Sequence, residues 1–186
     1  MNTAKILTSI TLACLAVSLT ACETIRNPNE VRTKCTINDQ GETECSVEAV
    51  WKSSSPYNNL QYLLGENVEI DLEESTSSFL GSSSRTATVT AMDGSSVLGV
   101  KSSTYNLSGY KVTAQFESDV VNWLSSYNGQ ADEIVHKVYN LDFANSQGTN
   151  TVTAEVMHDN VVLAGSSDSW YVGPNGPVII DPSNGY

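Results

Sequence analysis

This chain predicts an all-β fold, an antiparallel β-sandwich with one short helix, and three observations predict it. Apolar and polar residues alternate with a period of two through several runs of strand length. Compact turn clusters such as Asp93-Gly94 and Asp159-Asn160 join those runs. Two cysteines, Cys35 and Cys45, stand symmetrically about another turn. Period-two alternation marks half-buried strands, and many short strands with little helix favour two packed sheets. A β-barrel is the alternative closure of the same strands. A length of 186 residues suits one domain with a substantial core. With 9 Lys+Arg against 21 Asp+Glu the formal net charge is -12, and no basic stripe exists to replace phosphate counterions, which excludes nucleic acid as a partner.

The N-terminus comes first. Met1 to Lys5 carries one positive charge, and Ile6 to Leu19 is an apolar run interrupted by Thr8, Ser9 and Thr11. A run this short falls below the roughly 20 residues of a spanning helix and has the layout of a secretory signal over residues 1–21. It ends in Leu19-Thr20-Ala21-Cys22. That tetrapeptide behind an apolar segment resembles the lipobox of bacterial lipoproteins. The resemblance implies cleavage before Cys22, a diacylglyceryl thioether on its sulfur and acylation of its new amino group. Several acyl chains hold firmly where one holds marginally, at about 0.8 kcal/mol per buried CH₂. Glu23 follows rather than the Asp that often marks inner-membrane retention, so the resemblance implies the outer membrane, on its periplasmic or its surface face. Loss of residues 1–21 removes Lys5 alone among charged groups, leaving 8 basic residues against 21 acidic ones. The polar stretch Glu23–Glu30, with Pro28, reads as a tether from Cys22 that could extend about 30 Å. One sandwich domain is expected over residues 31–181, followed by a frayed terminus at 182–186.

Residues Val31 to Trp51 form the first predicted hairpin, with its turn at Asn38–Gly41. Centred on Gln40, it sets Cys35 opposite Cys45, Ile37 opposite Thr43, Thr33 opposite Val47 and Val31 opposite Ala49. Strand alternation then places Val31, Cys35, Ile37, Cys45, Val47, Ala49 and Trp51 on one side. The apolar pattern and the cysteine pairing select the same register independently. In an exported chain this pair forms a disulfide, worth roughly 2–3 kcal/mol for so short a loop in the chain-entropy model. A metal reading would need further ligands, and no His lies near.

The next strands are Asn67–Glu73, with Val68, Ile70 and Leu72 inward, and Thr86–Met92. Asp93-Gly94 turns the latter into Ser95–Thr104, pairing Val89 with Leu98 and Ala87 with Val100. Tyr110–Glu117 follows as a strand. Ser118 to Tyr127 is the helix: Ser118 caps it, Asp119 favours its first turn and Gly129 stops it. Its apolar face is Val120, Trp123, Leu124 and Tyr127. Glu133–Phe143 is a strand, and Thr151–Met157 turns through Asp159-Asn160 into Val161–Ser166, setting Val156 opposite Leu163. Ser169–Val172 and Val178–Ile180 add short edges. This layout is immunoglobulin-like in the loose sense.

Chemistry-bearing motifs are scarce. His136 lies on a predicted strand among Val135, Val138 and Tyr139 and reads as packed; His158 borders a turn and reads as solvated. Serines are abundant, yet none stands in a nucleophile elbow, and no P-loop, zinc-protease helix or calcium loop occurs. Glu69, Asp71 and Glu73 alternate on the outward face of one strand, an arrangement that reads as a soluble acidic face rather than a cation site. No cofactor or metal is expected. Tyr57 and Tyr62, in a loop-rich segment beside Asn58, Asn59 and Gln61, and Trp170-Tyr171, near the Gly/Pro-rich end, are candidate binding aromatics, although burial fits them equally. The expected role is a non-catalytic binding or accessory module in envelope or surface assembly, with a protein partner. A glycan-binding module using loop aromatics is the alternative, and a small hydrolase built from distant segments is the third.

Overall fold

The computed structural model describes residues 26–60, 68–74, 86–108, 111–115, 118–143 and 146–179. The signal segment, Cys22, Tyr62, most of the serine runs and residues 182–186 lie outside the described residues. The strands are β1 (Glu30–Ile37), β2 (Thr43–Lys52), β3 (Val68–Glu74), β4 (Thr86–Asp93), β5 (Ser96–Ser108) and β6 (Lys111–Gln115). Helix α1 (Ser118–Leu124) and a 3₁₀ turn (Ser125–Tyr127) follow, then β7 (Glu133–Phe143), β8 (Gly148–His158), β9 (Val161–Gly173) and β10 (Gly176–Ile179).

Two antiparallel sheets result. One runs β1-β2-β7-β4-β5 and the other β5-β6-β3-β8-β9-β10. They share β5, which pairs with β4 from Ser96 to Thr104 and with β6 from Tyr105 to Ser108. A strand of 13 residues can therefore serve both layers by turning the corner between them. At the other side, β1 and β9 run in the same direction side by side. Thr33 Oγ1 meets Ser166 Oγ at 2.5 Å, and the Cys35 N–H donates to Asp168 Oδ2 at 2.7 Å. No ladder joins these two strands among the described residues, so the fold is a sandwich and not a closed barrel.

The first hairpin has the register expected from its sequence, with Cys35 opposite Cys45 and Val31 opposite Ala49. The disulfide Cys35–Cys45 is formed, its Cα atoms 4.1 Å apart, and both cysteines are buried. Ile37 departs from the pattern: at the last pair of the hairpin it is 37% exposed. Two other registers also need correction. Val89 pairs with Lys101 and Ala87 with Ser103, three residues from the predicted partners. The turn comes one residue later, at Gly94-Ser95, because Asp93 still pairs with Ser96. A bulge between Ala91 and Met92 then adds one more step. Likewise Val156 faces Ala164 rather than Leu163, because a bulge between Val156 and Met157 absorbs one residue. The Asp159-Asn160 turn itself forms, with φ of 48° and 64°, the left-handed pair that matches strand twist. Ser169–Val172 is not a separate edge but the continuation of β9.

The core lies between the sheets around Trp51, Trp170, Phe143, Leu60, Ile70, Ile134 and Leu141. Phe143 and Trp170 pack with ring centroids 5.6 Å apart. Helix α1 buries Val120, Val121 and Leu124 and, with the 3₁₀ turn, covers β5 at Gly99 and Lys101. There Gly99 makes room: a Cβ on it would lie 2.1 Å from Tyr127 Oη and 3.1 Å from Trp123 Cζ2. Lys101, on the same face, pairs with Asp119 of the helix at 2.8 Å.

Residues 26–29, read above as tether, are fixed to the domain. Arg26 O accepts from Trp51 Nε1 at 2.9 Å, Asn29 N donates to Val50 O at 2.7 Å, and Lys52 N donates to Asn29 Oδ1 at 2.6 Å. Pro28 is buried.

Candidate binding surface

Both histidines are at least partly buried. His136 faces inward on β7 between Ala49 and Val89, fully buried, and burial pushes its pKa down to about 3. It is a neutral core residue. His158, expected to be solvated, is half-buried at the β8–β9 turn, with Nε2 3.3 Å from the exposed Asp159 carboxylate and Nδ1 buried.

The candidate aromatics separate. Trp170 is completely buried, since it points from β9 into the core against Phe143; it offers no contact surface, and its place in a binding face is withdrawn. Tyr57 is half-buried and packs against the core. Its N–H donates to Ala131 O at 2.9 Å and its carbonyl accepts from Gly129 N at 2.5 Å, so the loop before β3 is fastened to the turn before β7. Burial raises its phenol pKa above the ordinary value. Tyr171 alone among these four is a described, exposed aromatic, at 47%. Its pleat position puts it outside, one residue from buried Trp170.

Tyr171 does not stand alone. Its register partner on β10 is Val178, 61% exposed. The parallel run of β1 beside β9 brings exposed Ile37 to the level of Trp170, and β10 also lies against β1. Sequence inspection singled out Tyr171 but missed Val178 and Ile37. The signal for Val178 was available in its alternation with Ile179, whereas Ile37 carried an inward pattern and is nonetheless exposed at the end of its strand. Rigid turns frame the group. Asn38 Oδ1 accepts from Gln40 N at 3.0 Å and Glu42 N at 2.9 Å, and Gly41 takes φ 78°, which fixes the β1–β2 turn. Pro177 on β10 removes a donor from that edge strand and discourages uncontrolled strand addition.

The acidic row on β3 falls opposite β8: Asp71 pairs with Glu155, Glu69 with Met157 and Glu73 with Thr153. Among the described residues, no group of three or more potential ligands is placed to hold a metal ion. Charge divides between the sheets. Strands of the first carry Arg32, Lys34, Lys52, Lys101 and Lys137, and three of these lysines form 2.8 Å ion pairs with Glu133, Asp119 and Glu48. β6, β3, β8, β9 and β10 carry one basic residue, Lys111, against Glu69, Asp71, Glu73, Glu74, Glu155 and Asp168. Among the described residues no helix is long and apolar enough to cross a membrane.

No family model matches the chain, and no curated protein matches it. Among solved structures it is similar to the collagen-binding subdomain of an Enterococcus faecalis surface protein, at 8% identity and a TM-score of 0.39, covering 75% of this chain and 92% of that one. It is similar also to a collagen-binding domain from a Staphylococcus aureus adhesin, at 8% identity and a TM-score of 0.38, over 75% of this chain and 95% of that one. An Actinomyces fimbrial adhesin gives 14% identity and a TM-score of 0.31 over 84% of this chain and 52% of its own.

Proposed function

We propose that this protein is an outer-membrane lipoprotein, anchored through acylated Cys22, whose sandwich is a non-catalytic module that binds a protein partner. The supporting observation is the exposed apolar pair of Tyr171 and its register partner Val178 on β9 and β10, at the end of the sandwich opposite Arg26. Tyrosine beside aliphatic side chains, on rigid strands and ringed by polar turns, is the composition of a protein contact core. A glycan platform calls for stacked exposed aromatics, and Tyr171 is the one aromatic among the large exposed apolar residues described. Protein contact is therefore the stronger reading.

Site-specific photocross-linking in the native envelope tests it. A photoreactive group at Tyr171 or Val178 is expected to give the same discrete adduct, and V178D should abolish adduct formation from Tyr171. A control group at exposed Ser102 on the outer face of the first sheet should give none. Identical adducts from all three positions would refute the surface. Mass spectrometry of the N-terminal peptide tests the anchor separately: acylated Cys22 supports it, and an unmodified thiol removes it.

A further inference from the structure

The way the N-terminal segment is fastened fixes how the domain meets the membrane. Hydrogen bonds donated by Trp51 and Lys52 and accepted by Val50 hold residues 26–29 at one end of the sandwich. Asp132 ties other segments to that same end. Its carbonyl accepts from Ser53 N, its N–H donates to Met92 O, and its Oδ1 accepts from Gly94 N, each at 2.9 Å. The β4–β5 turn and the turn before β7 thus share this end with Arg26. Because β9 runs in the direction of β1, with Thr33 beside Ser166 and Cys35 beside Asp168, the start of β9 and the β8–β9 turn lie there too. Only Glu23, Thr24 and Ile25 separate Cys22 from Arg26. Fully extended, the step from Cys22 to Arg26 reaches about 14 Å, half the tether inferred from sequence.

We infer that this end of the sandwich rests on the lipid headgroup layer, with the β4–β5 and β8–β9 turns as its contacts and the Tyr171 end held away from the bilayer. The inference depends on acylation of Cys22. Val97, Val161 and Val162, exposed by 58%, 62% and 48%, project from these two hairpins and supply apolar contact at headgroup depth. Exposed Asp93 and Asp159 flank them and keep the turns out of the hydrocarbon. Nine residue steps of β2, from Lys52 to Thr43, rise roughly 30 Å, which lifts the Asn38–Glu42 turn and Tyr171 well clear of the surface. A domain lying flat on the second sheet would instead press its carboxylate-rich strands against anionic lipid.

The test uses the full acylated chain in phosphatidylethanolamine/phosphatidylglycerol vesicles carrying headgroup nitroxide lipids. Single fluorophores are placed by S95C and V161C at the proposed contact, D39C and N175C at the far end, and S102C and S167C on the two outer faces. The native disulfide is buried, so only the new thiol reacts. Quenching is expected to be several-fold stronger at 95 and 161 than at 39 and 175, with 102 and 167 between. Equal quenching at one face and at positions 95 and 161, or stronger quenching at 39 and 175, would overturn the orientation. Flotation and the mass of the Cys22 peptide are read on the same samples. An unmodified, non-floating chain removes the anchor and the orientation together, whereas an acylated, floating chain without the gradient removes the orientation alone.

Discussion

His136 has no exposed surface and a pKa held near 3 by burial, while in the unfolded chain it titrates near its ordinary value of 6.5. Between those values the unfolded state binds a proton that the native state refuses. The stability tied to the neutral ring is therefore complete above pH 6.5 and is lost as pH falls toward 3. Each pH unit in that window costs about 1.4 kcal/mol, so urea unfolding should show a loss of about 2 kcal/mol between pH 7 and pH 5. H136L is expected to remove most of that difference, and an unchanged pH dependence in the variant would show that burial of the ring is not its source. Asp168 makes a different single-residue contribution. It accepts from Cys35 N and from its neighbour Ser169 N, occupying a donor on the open side of β1. D168A should cost about 1–2 kcal/mol and accelerate hydrogen exchange at the Cys35 amide, with D168N milder because it keeps an oxygen there.

At the scale of elements, helix α1 depends on a residue it does not contain. Gly99 admits the Trp123–Tyr127 pair, whose rings meet edge to face at 5.1 Å. G99A would drive a methyl into the Tyr127 phenol, and about 1–3 kcal/mol of destabilisation is expected in urea unfolding. Y127F in the G99A background removes the nearest obstructing atom and should restore part of the loss; no recovery would place the strain elsewhere. The helix itself was legible from its acidic first turn and its apolar spacing, and the strands β2 and β7 from alternation. The β1–β2 register was legible because the cysteines pin it. In β8–β9 the turn was readable and in β4–β5 it lies one residue later than expected, but each bulge arises from how a hairpin bends around the core, which local alternation does not encode. Trp170 and Tyr171 show the same limit: two adjacent aromatics look alike in sequence, and only the pleat relative to the core assigns one inward and one outward.

At the scale of the molecule, the two sheets are held together at one side by β5, a covalent corner, and at the other by the side-chain contacts of β1 with β9. The switch of β5 between sheets was not legible: the strand expected over Ser95–Thr104 stops where pairing with β4 stops, and its continuation through Tyr105–Ser108, which pairs with β6, was not foreseen. The unequal sides predict an order of opening. Among the described residues strand β1 has a ladder on one side only, so it depends on β2, on the Asp168 contact and on the Cys35–Cys45 bond that staples it to β2. Reducing that bond should lower global stability by roughly 2–3 kcal/mol, the amount expected for a short loop in the chain-entropy model. The loss should not be uniform in its local effects. Amides of β1 are expected to gain exchange far more than those of β7, which is laddered by β2 and β4 on its two sides. Combining reduction with D168A should cost more than either change implies alone, because both restrain the same strand against the same neighbour. Hydrogen exchange resolved by residue on the oxidised and reduced protein reads this directly: equal acceleration in β1 and β7 would mean that the sandwich opens as one unit and that the β1–β9 side is no weaker than the corner at β5.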